Sequence, residues 1–421
     1  MRRPLFACAL AAAITATALT PSSTTLALGN RPLSSGASAL LGPGGSGAAA
    51  TESLLVQTLQ AITSSQFDIA LAEIDKVLQQ NPNFRLAHLI RGDLLMARAR
   101  PISSIGSASD APAERIADLR DEARARLVRH NQERPANRVP RSLLQLDPGQ
   151  KYAFVVDTSK YTLYVFENDH GTPRYIADYY TTIGRNGTEK VREGDKKTPL
   201  GVYHVTGNMP RDQLNKVYGA QKSVLYGDGA FPISYPNEWD RRRGRNGHGI
   251  WLHGVPFDTY SRPPRASDGC VALTNEDLMA ISKQVQVGVT PVIIAQDVEW
   301  VEAGSTKATR NALQQSVESW RRDWESRDTE QYLRHYSAEF SADKQDFAAW
   351  AAQKRSVNAG KSWIKVKVDQ VSMFLYPGDE NLAVVTFEQD YSSSNTSGKM
   401  RKRQYWQHEK GGWRIVHEGA A

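Results

Sequence analysis

The hydrophobic period of this chain changes near Lys151, and that change limits what it can fold into. Before it, apolar residues recur every three to four positions. Leu54, Leu55, Leu59 and Ile62 share one face, and Ile69, Ala70, Ile74, Val77 and Leu78 share another. This is the spacing of amphipathic helices. Asn81-Pro82 stops one helix, a second covers residues 84–98, and a charged one covers 114–129 before Pro135 and Pro140 break it. From Lys151 the period becomes two. YAFVVDTSKYTLYVFEND reads as a β-hairpin turning at Thr158-Ser159-Lys160, and TPRYIADYYTTIG, TPLGVYHVTG, GIWLHG and TPVIIA continue the pattern between Gly and Pro breaks. Residues 275–285, with Thr274 as N-cap, are the one helical stretch expected there. A third texture starts at Ala308. Helices over 311–326 and 329–336 precede strand-like segments at 364–374, 382–391, 401–409 and 413–418, an α+β order.

These textures divide the 421 residues into a leader over 1–27, a flexible linker over 28–50, a helical region over 51–134, connectors at 135–149 and 298–307, a β-rich core over 150–297 and an α+β region over 308–421. The leader has Arg2 and Arg3 before an uncharged, Ala-rich run and a small-residue cleavage site at Thr25-Leu26-Ala27, the pattern of an export signal. A periplasmic location is expected from it. FDIALAEIDKVLQQNPNFRLAHLIRGDLLMA resembles one tetratricopeptide-type helical hairpin, and a plain helical bundle is the alternative. The net charge of +7 falls to +5 without Arg2 and Arg3. That mild excess suits an anionic polymer such as cell wall and does not call for nucleic acid. Two cysteines, Cys8 and Cys270, exclude a disulfide scaffold and a multi-cysteine metal or cluster site. Removal of the leader leaves Cys270 as the one thiol.

The stretch HGIWLHGVPFDTYSRPPRASDGCVALTNEDL concentrates the chemistry. A cysteine nucleophile needs a base to take its proton and N–H donors for the oxyanion. His253 ends an apolar strand, and Cys270 follows Gly269, 17 residues on, across a Pro-rich loop. A lone Cys and His at this spacing suit either a small core thiol or a reacting pair. LHG followed by SDGCVAL resembles the signature of the L,D-transpeptidase (YkuD-like) catalytic domain, and GDKKTPLGVYHVTG resembles that family's Thr-Pro-x-Gly strand. The resemblance spans about 150 residues. It implies a β-sandwich-like fold and acyl transfer on peptidoglycan stem peptides. Cys270 would be the nucleophile, His253 the proton acceptor and donor, Gly269 a backbone oxyanion contributor and Ser267 a loop support. No cofactor and no metal are implied. Many members carry Arg two residues after the Cys; here that position is Ala272.

The C-terminal region, from ALQQSVESWRRDWESRDTEQYLRHYSAEF to YWQHEKGGWRIVHEG, resembles a nuclear-transport-factor-like cone. The three-part fold class expected is therefore a helical N-terminal region, a β-rich YkuD-like sandwich and an α+β cone. That combination resembles the cell-shape L,D-carboxypeptidases, which release the acyl group to water; other proteins with this core act on an outer-membrane lipoprotein. The expected activity is cleavage of the diaminopimelate–D-alanine bond with transfer to an amine. Release to water and a non-catalytic wall-binding role are the alternatives.

Other features carry rival readings. His248 and His253 stand five apart, so on a strand they face opposite sides and do not suggest a metal site. Arg241 to Arg243 read as a surface loop or a contact for substrate carboxylates. Arg262 and Arg265 are alternative clamps. Lys399, Arg401, Lys402 and Arg403 read as a solvated strand face or a glycan contact, and Trp320, Trp324, Tyr332 and Tyr336 as core. Residues 308–421 are expected to fold alone.

Overall fold

The computed structural model describes residues 47–102, 104–107, 110–132, 137–342 and 345–421. The leader and residues 28–46 of the expected linker lie outside the described residues.

Four helices, Gly47–Thr63, Phe67–Gln80, Arg85–Ala97 and Ala113–Asn131, form the N-terminal unit. Their shared apolar stripe buries Leu55, Leu59, Ala70, Ile74, Val77, Phe84, Leu86, Ile90 and Leu94. Asn81 ends the second helix, and its side chain donates to Thr51 Oγ1 at 2.7 Å, tying the turn to the first helix. Ile69, placed on the apolar face by its spacing, is instead exposed at the start of the second helix. No helix among the described residues is long and apolar enough to cross a membrane.

The central β-rich region is two sheets face to face. The larger runs in the order Thr172–Tyr180, Thr162–Asp169, Tyr152–Asp157, Pro291–Ala295, Gly201–His204. The smaller runs Val271–Ala272, Trp251–His253, Gly229–Pro232, Met209–Pro210. Strand alternation sends Phe154, Val156, Leu163 and Val165 toward Phe231, Leu252, Val271 and Leu273, closing a dry core between the sheets. Three helices belong to this region rather than one. Beside Asn275–Ser282, capped by Thr274, stand Arg211–Ser223 and the short Glu238–Arg242, held by a capping box between Asn237 and Asp240. The sequence RDQLNKVYGAQKS hides its helix because it buries only Leu214 and Ser223 and breaks at Gly219, whose φ is 76°.

The C-terminal region wraps the long strands Ile364–Tyr376, Asp379–Ser393, Ser397–Glu409 and Gly412–Ala420 around the helix Lys307–Ser326, with Thr329–Leu333 and Phe347–Ala359 beside it. The last of these helices was not expected. Trp320, Trp324, Tyr332 and Tyr336 are buried in its core. Trp320 Nε1 donates to Tyr336 Oη at 2.9 Å, and Lys402 pairs with buried Glu418 at 3.4 Å.

The described parts of the segments read as connectors carry strands. Arg138–Pro140 pairs with Trp300–Glu302, and Leu143–Gln145 becomes the edge strand of the C-terminal sheet beside Ile364–Tyr376. The larger central sheet is consequently buried on both faces. Ala153, Val155, Tyr164, Phe166 and Ile293 pack against Phe374, Tyr376, Leu382, Val384 and Tyr405 of the C-terminal sheet. Arg403 forks onto Glu238 at 3.0 and 3.1 Å, and Arg401 reaches Asp147 at 3.4 Å. The basic run is thus divided: Lys399 stays on the solvated face beside Asp390, and the other three turn toward carboxylate partners. Alternation sends Lys402 into the cone and Arg401 and Arg403 into the seam.

Candidate active site

Leu252 pairs in parallel with Val271, and both point into the dry core. Their neighbours must point the other way. Trp251, His253 and Cys270 therefore share the opposite face, with His253 one diagonal step from Cys270. Diagonal neighbours across a ladder lie about 7–8 Å apart at Cα, within side-chain reach.

The loop before the thiol is fixed by side chains. Ser267 Oγ donates to Cys270 O at 2.6 Å and accepts from Gly269 N at 3.1 Å. Ser267 is thus a loop support, whereas the Gly269 N–H, expected at an oxyanion, is committed inside the loop. What Gly269 supplies is conformation. Its φ is 122°, and a Cβ would lie 2.7 Å from Lys197 O. Thr198, from the Thr-Pro-x-Gly strand, donates to Gly269 O at 2.9 Å and accepts from Gly184 N.

The thiol donates to Gly249 O at 3.3 Å. Burial pushes it up to about 11; the Trp251 backbone N–H facing the sulfur opposes this, as do the charges of Arg262 and Lys190, while Asp268 adds to it. His253 is buried, and Nδ1 lies 2.6 Å from Gly254 O. A carbonyl only accepts, so Nδ1 carries the proton and Nε2 is left as acceptor. Burial, then the Arg262 charge, pulls the imidazole down to about 4, against the pull of the Gly254 carbonyl. Near neutral pH the resting pair is uncharged, and proton transfer belongs to the attack itself.

Tyr226 stands edge-on to the His253 ring at 5.2 Å and packs on Trp251 at 4.8 Å. Arg211–Ser223 and the turn Val224–Tyr226 form a cover over this face, leaving Val217, Tyr218 and Leu225 exposed. Asn275 locks the floor. Its Oδ1 accepts from Asp228 N and Val255 N, and its Nδ2 donates to Val255 O at 2.9 Å. Tyr226, Thr198 and Asn275 were not singled out from the sequence; an Asn or Tyr in a loop has no signature until its partners are seen.

His248 is exposed beside Glu193, apart from buried His253. Arg241 to Arg243 do not reach the thiol. Arg242 donates to Glu339 O at 2.6 Å, stapling the C-terminal region, and Arg243 stands 4.0 Å from Asp379. Arg262 is the arginine beside the pair, its charge acting on both Cys270 and His253.

Comparison with known proteins accords with this geometry. Residues 151–294 match the L,D-transpeptidase catalytic domain (YkuD), and residues 312–419 match the Cds6 C-terminal NTF2-like domain. The chain thus carries an L,D-transpeptidase catalytic domain joined to an NTF2-like domain. Among solved structures it is similar to Bd1075 of Bdellovibrio bacteriovorus, at 28% identity and TM-score 0.58, covering 68% of this chain and 98% of that one. It is also similar to the helical cell shape determining protein Pgp2 of Campylobacter jejuni, at 27% identity and TM-score 0.56, covering 66% of this chain and 94% of that one. No curated protein matches.

Proposed function

We propose that this protein is a periplasmic cysteine acyl-transferase that remodels peptidoglycan by cutting the diaminopimelate–D-alanine bond of tetrapeptide stems. The observation that carries the reading is Cys270 and His253 on one face of a parallel strand pair, with His253 Nδ1 tied to Gly254 O so that Nε2 is left to act as base. Cys270 attacks the carbonyl while His253 takes the thiol proton. The C–N bond breaks, and the imidazolium returns that proton to the leaving D-alanine amine. The thioester then passes to the amine of a second stem, or to water, with His253 taking the proton of the acceptor. Ala272, where many transpeptidases carry Arg, and the likeness to a cell-shape-determining protein favour water.

The test is purified protein with disaccharide-tetrapeptide, read by mass spectrometry. A tripeptide product without dimer marks the carboxypeptidase, and a dimer joined through two diaminopimelates marks the transpeptidase. Cys270→Ala abolishes turnover and His253→Ala lowers it by about two to four orders of magnitude. Unchanged turnover in either variant, or neither product from the native chain, overturns the reading.

A further inference from the structure

The loop from His253 to Cys270 is held at both ends by the catalytic domain, through Asn275 at Val255 and the pairing of Arg265–Ser267 with Ile183–Gly184, and in its middle by the helical unit as well. Within that domain, Tyr180 Oη and Thr182 Oγ1 donate to Arg262 O at 3.0 and 3.1 Å. A second set of grips, on residues 257–261, comes from the helical unit. Asn83 Nδ2 donates to Phe257 O at 2.9 Å, the Phe84 ring lies 4.6 Å from Tyr260, and Ser261 Oγ donates to Glu122 Oε1 at 2.5 Å.

Glu122 is part of a buried charge cluster. Arg126 donates to it from Nε at 3.1 Å and from Nη2 at 3.0 Å, pairs with Glu52, and lies over the Tyr180 ring at 4.1 Å. Arg126 and Glu122 are each 1% exposed. Arg129 joins Glu52 at 3.2 Å to Asp178 at 2.6 Å. Burying such charges adds little stability over an apolar contact, and its best-attested gain is placement. What this cluster places is Ser261, whose neighbour Arg262 has no carboxylate within 4 Å among the described residues.

We infer that the helical unit is a positioning element of the active site: through Glu122, Arg126 holds Ser261, and Ser261 fixes Arg262 beside Cys270 and His253. This rests on the reading of those two as the reacting pair. Arg262 Nη2 donates to Leu225 O at 3.4 Å, in the turn that sets Tyr226 edge-on to His253, and from there its charge favours the thiolate as it forms and adds to the burial that keeps the imidazole neutral. The other groups acting on the thiol are Asp268, Lys190 and the Trp251 N–H, and those acting on Arg262 are Asp268, Arg185 and Asp258.

The test follows iodoacetamide alkylation of Cys270 in the full-length protein as a function of pH, read on the Cys270 peptide. It needs no peptidoglycan substrate, so it separates this inference from the proposed reaction. Ser261→Ala removes only the link to Glu122, and Arg262→Gln removes the charge. Each is expected to slow alkylation at pH 9 by about three- to tenfold, the effect of half to one unit on a thiol. The double variant slows no further than Arg262→Gln alone. Arg126→Gln repeats the shift if it folds, and Ser261→Ala carries the test if it does not. A native pH profile in Ser261→Ala, or losses that multiply in the double variant, overturns the inference.

Discussion

The catalytic domain is held on two sides by different balances of contact, mainly apolar toward the NTF2-like domain, where Arg403–Glu238 and Arg401–Asp147 flank the seam, and mainly charged toward the helices. Toward the NTF2-like domain it presents a sheet face of Ala153, Val155, Phe166 and Ile293 against Phe374, Leu382 and Val384. Toward the helices it presents charge and loop: Asp178 to Arg129, Ser261 to Glu122, Tyr260 to Phe84. An apolar seam is non-directional and tolerates small shifts. A seam of buried charges is poor at holding things together and good at fixing where they sit. The first joins two domains into one body; the second sets the position of a loop.

The largest test of this contrast is Phe374→Ala. Phe374 is buried in the apolar seam and faces Leu143 across the ladder. Its loss should cost about 3–5 kcal/mol by denaturant unfolding, equally at pH 5 and pH 8. A loss that varies with pH would show that charge governs this seam too. A smaller effect, of opposite sign, is expected of Asp277→Asn on the charged side. Burial pushes the Asp277 carboxyl up to about 6, against the Thr274 hydroxyl and the Arg129 charge. The fold therefore disfavours its charged form. The penalty is present above pH 6, shrinks as pH falls toward the ordinary carboxyl range, and is gone below it. Asp277→Asn should gain about 2–3 kcal/mol at pH 7.5 and nothing near pH 3.5, measured by melting at both. A gain at both values would place the effect in packing. The smallest change is expected at the rim, where Arg85 and Asp258 pair at 3.4 Å in solvent. Arg85→Ala should move stability by about 0.5 kcal/mol or less, and a larger loss would make the rim part of the clamp.

Much of this was legible in the sequence. The change of period at Lys151 separates helices from sheets, and the alternation through Tyr152–Asp157 and Thr162–Asp169 marks both strands. Cys270 and His253 were legible through the resemblance of LHG and SDGCVAL to the L,D-transpeptidase signature, since their spacing alone also suits a small core thiol. What stayed hidden depends on partners far along the chain. Arg401, Lys402 and Arg403 read as solvent-facing until Asp147, Glu418 and Glu238 come to meet them. Arg262 and Arg265 read equally as clamps until the register of Leu252 with Val271 brings the loop back over the thiol and Arg262 is the one whose charge acts on it. The helix Arg211–Ser223 is nearly all polar, so no apolar period announces it.

The edge strand Leu143–Gln145 bears on the order in which the molecule is made. Gln145 Nε2 donates to Val371 O across 226 residues of chain, and the whole catalytic domain lies between them. By connectivity, then, that domain is an insertion in the sheet of its neighbour. A chain emerging from the ribosome makes the first strand of that sheet, then a complete sandwich whose outer face still lacks its cover, and only afterwards the strands that supply it. Cutting at residue 308 takes that edge strand away, so expressing 308–421 with and without residues 143–145 tests the expectation that it folds alone. The shared apolar seam predicts a single calorimetric transition for both domains, and two resolved transitions would show that the seam does not couple them.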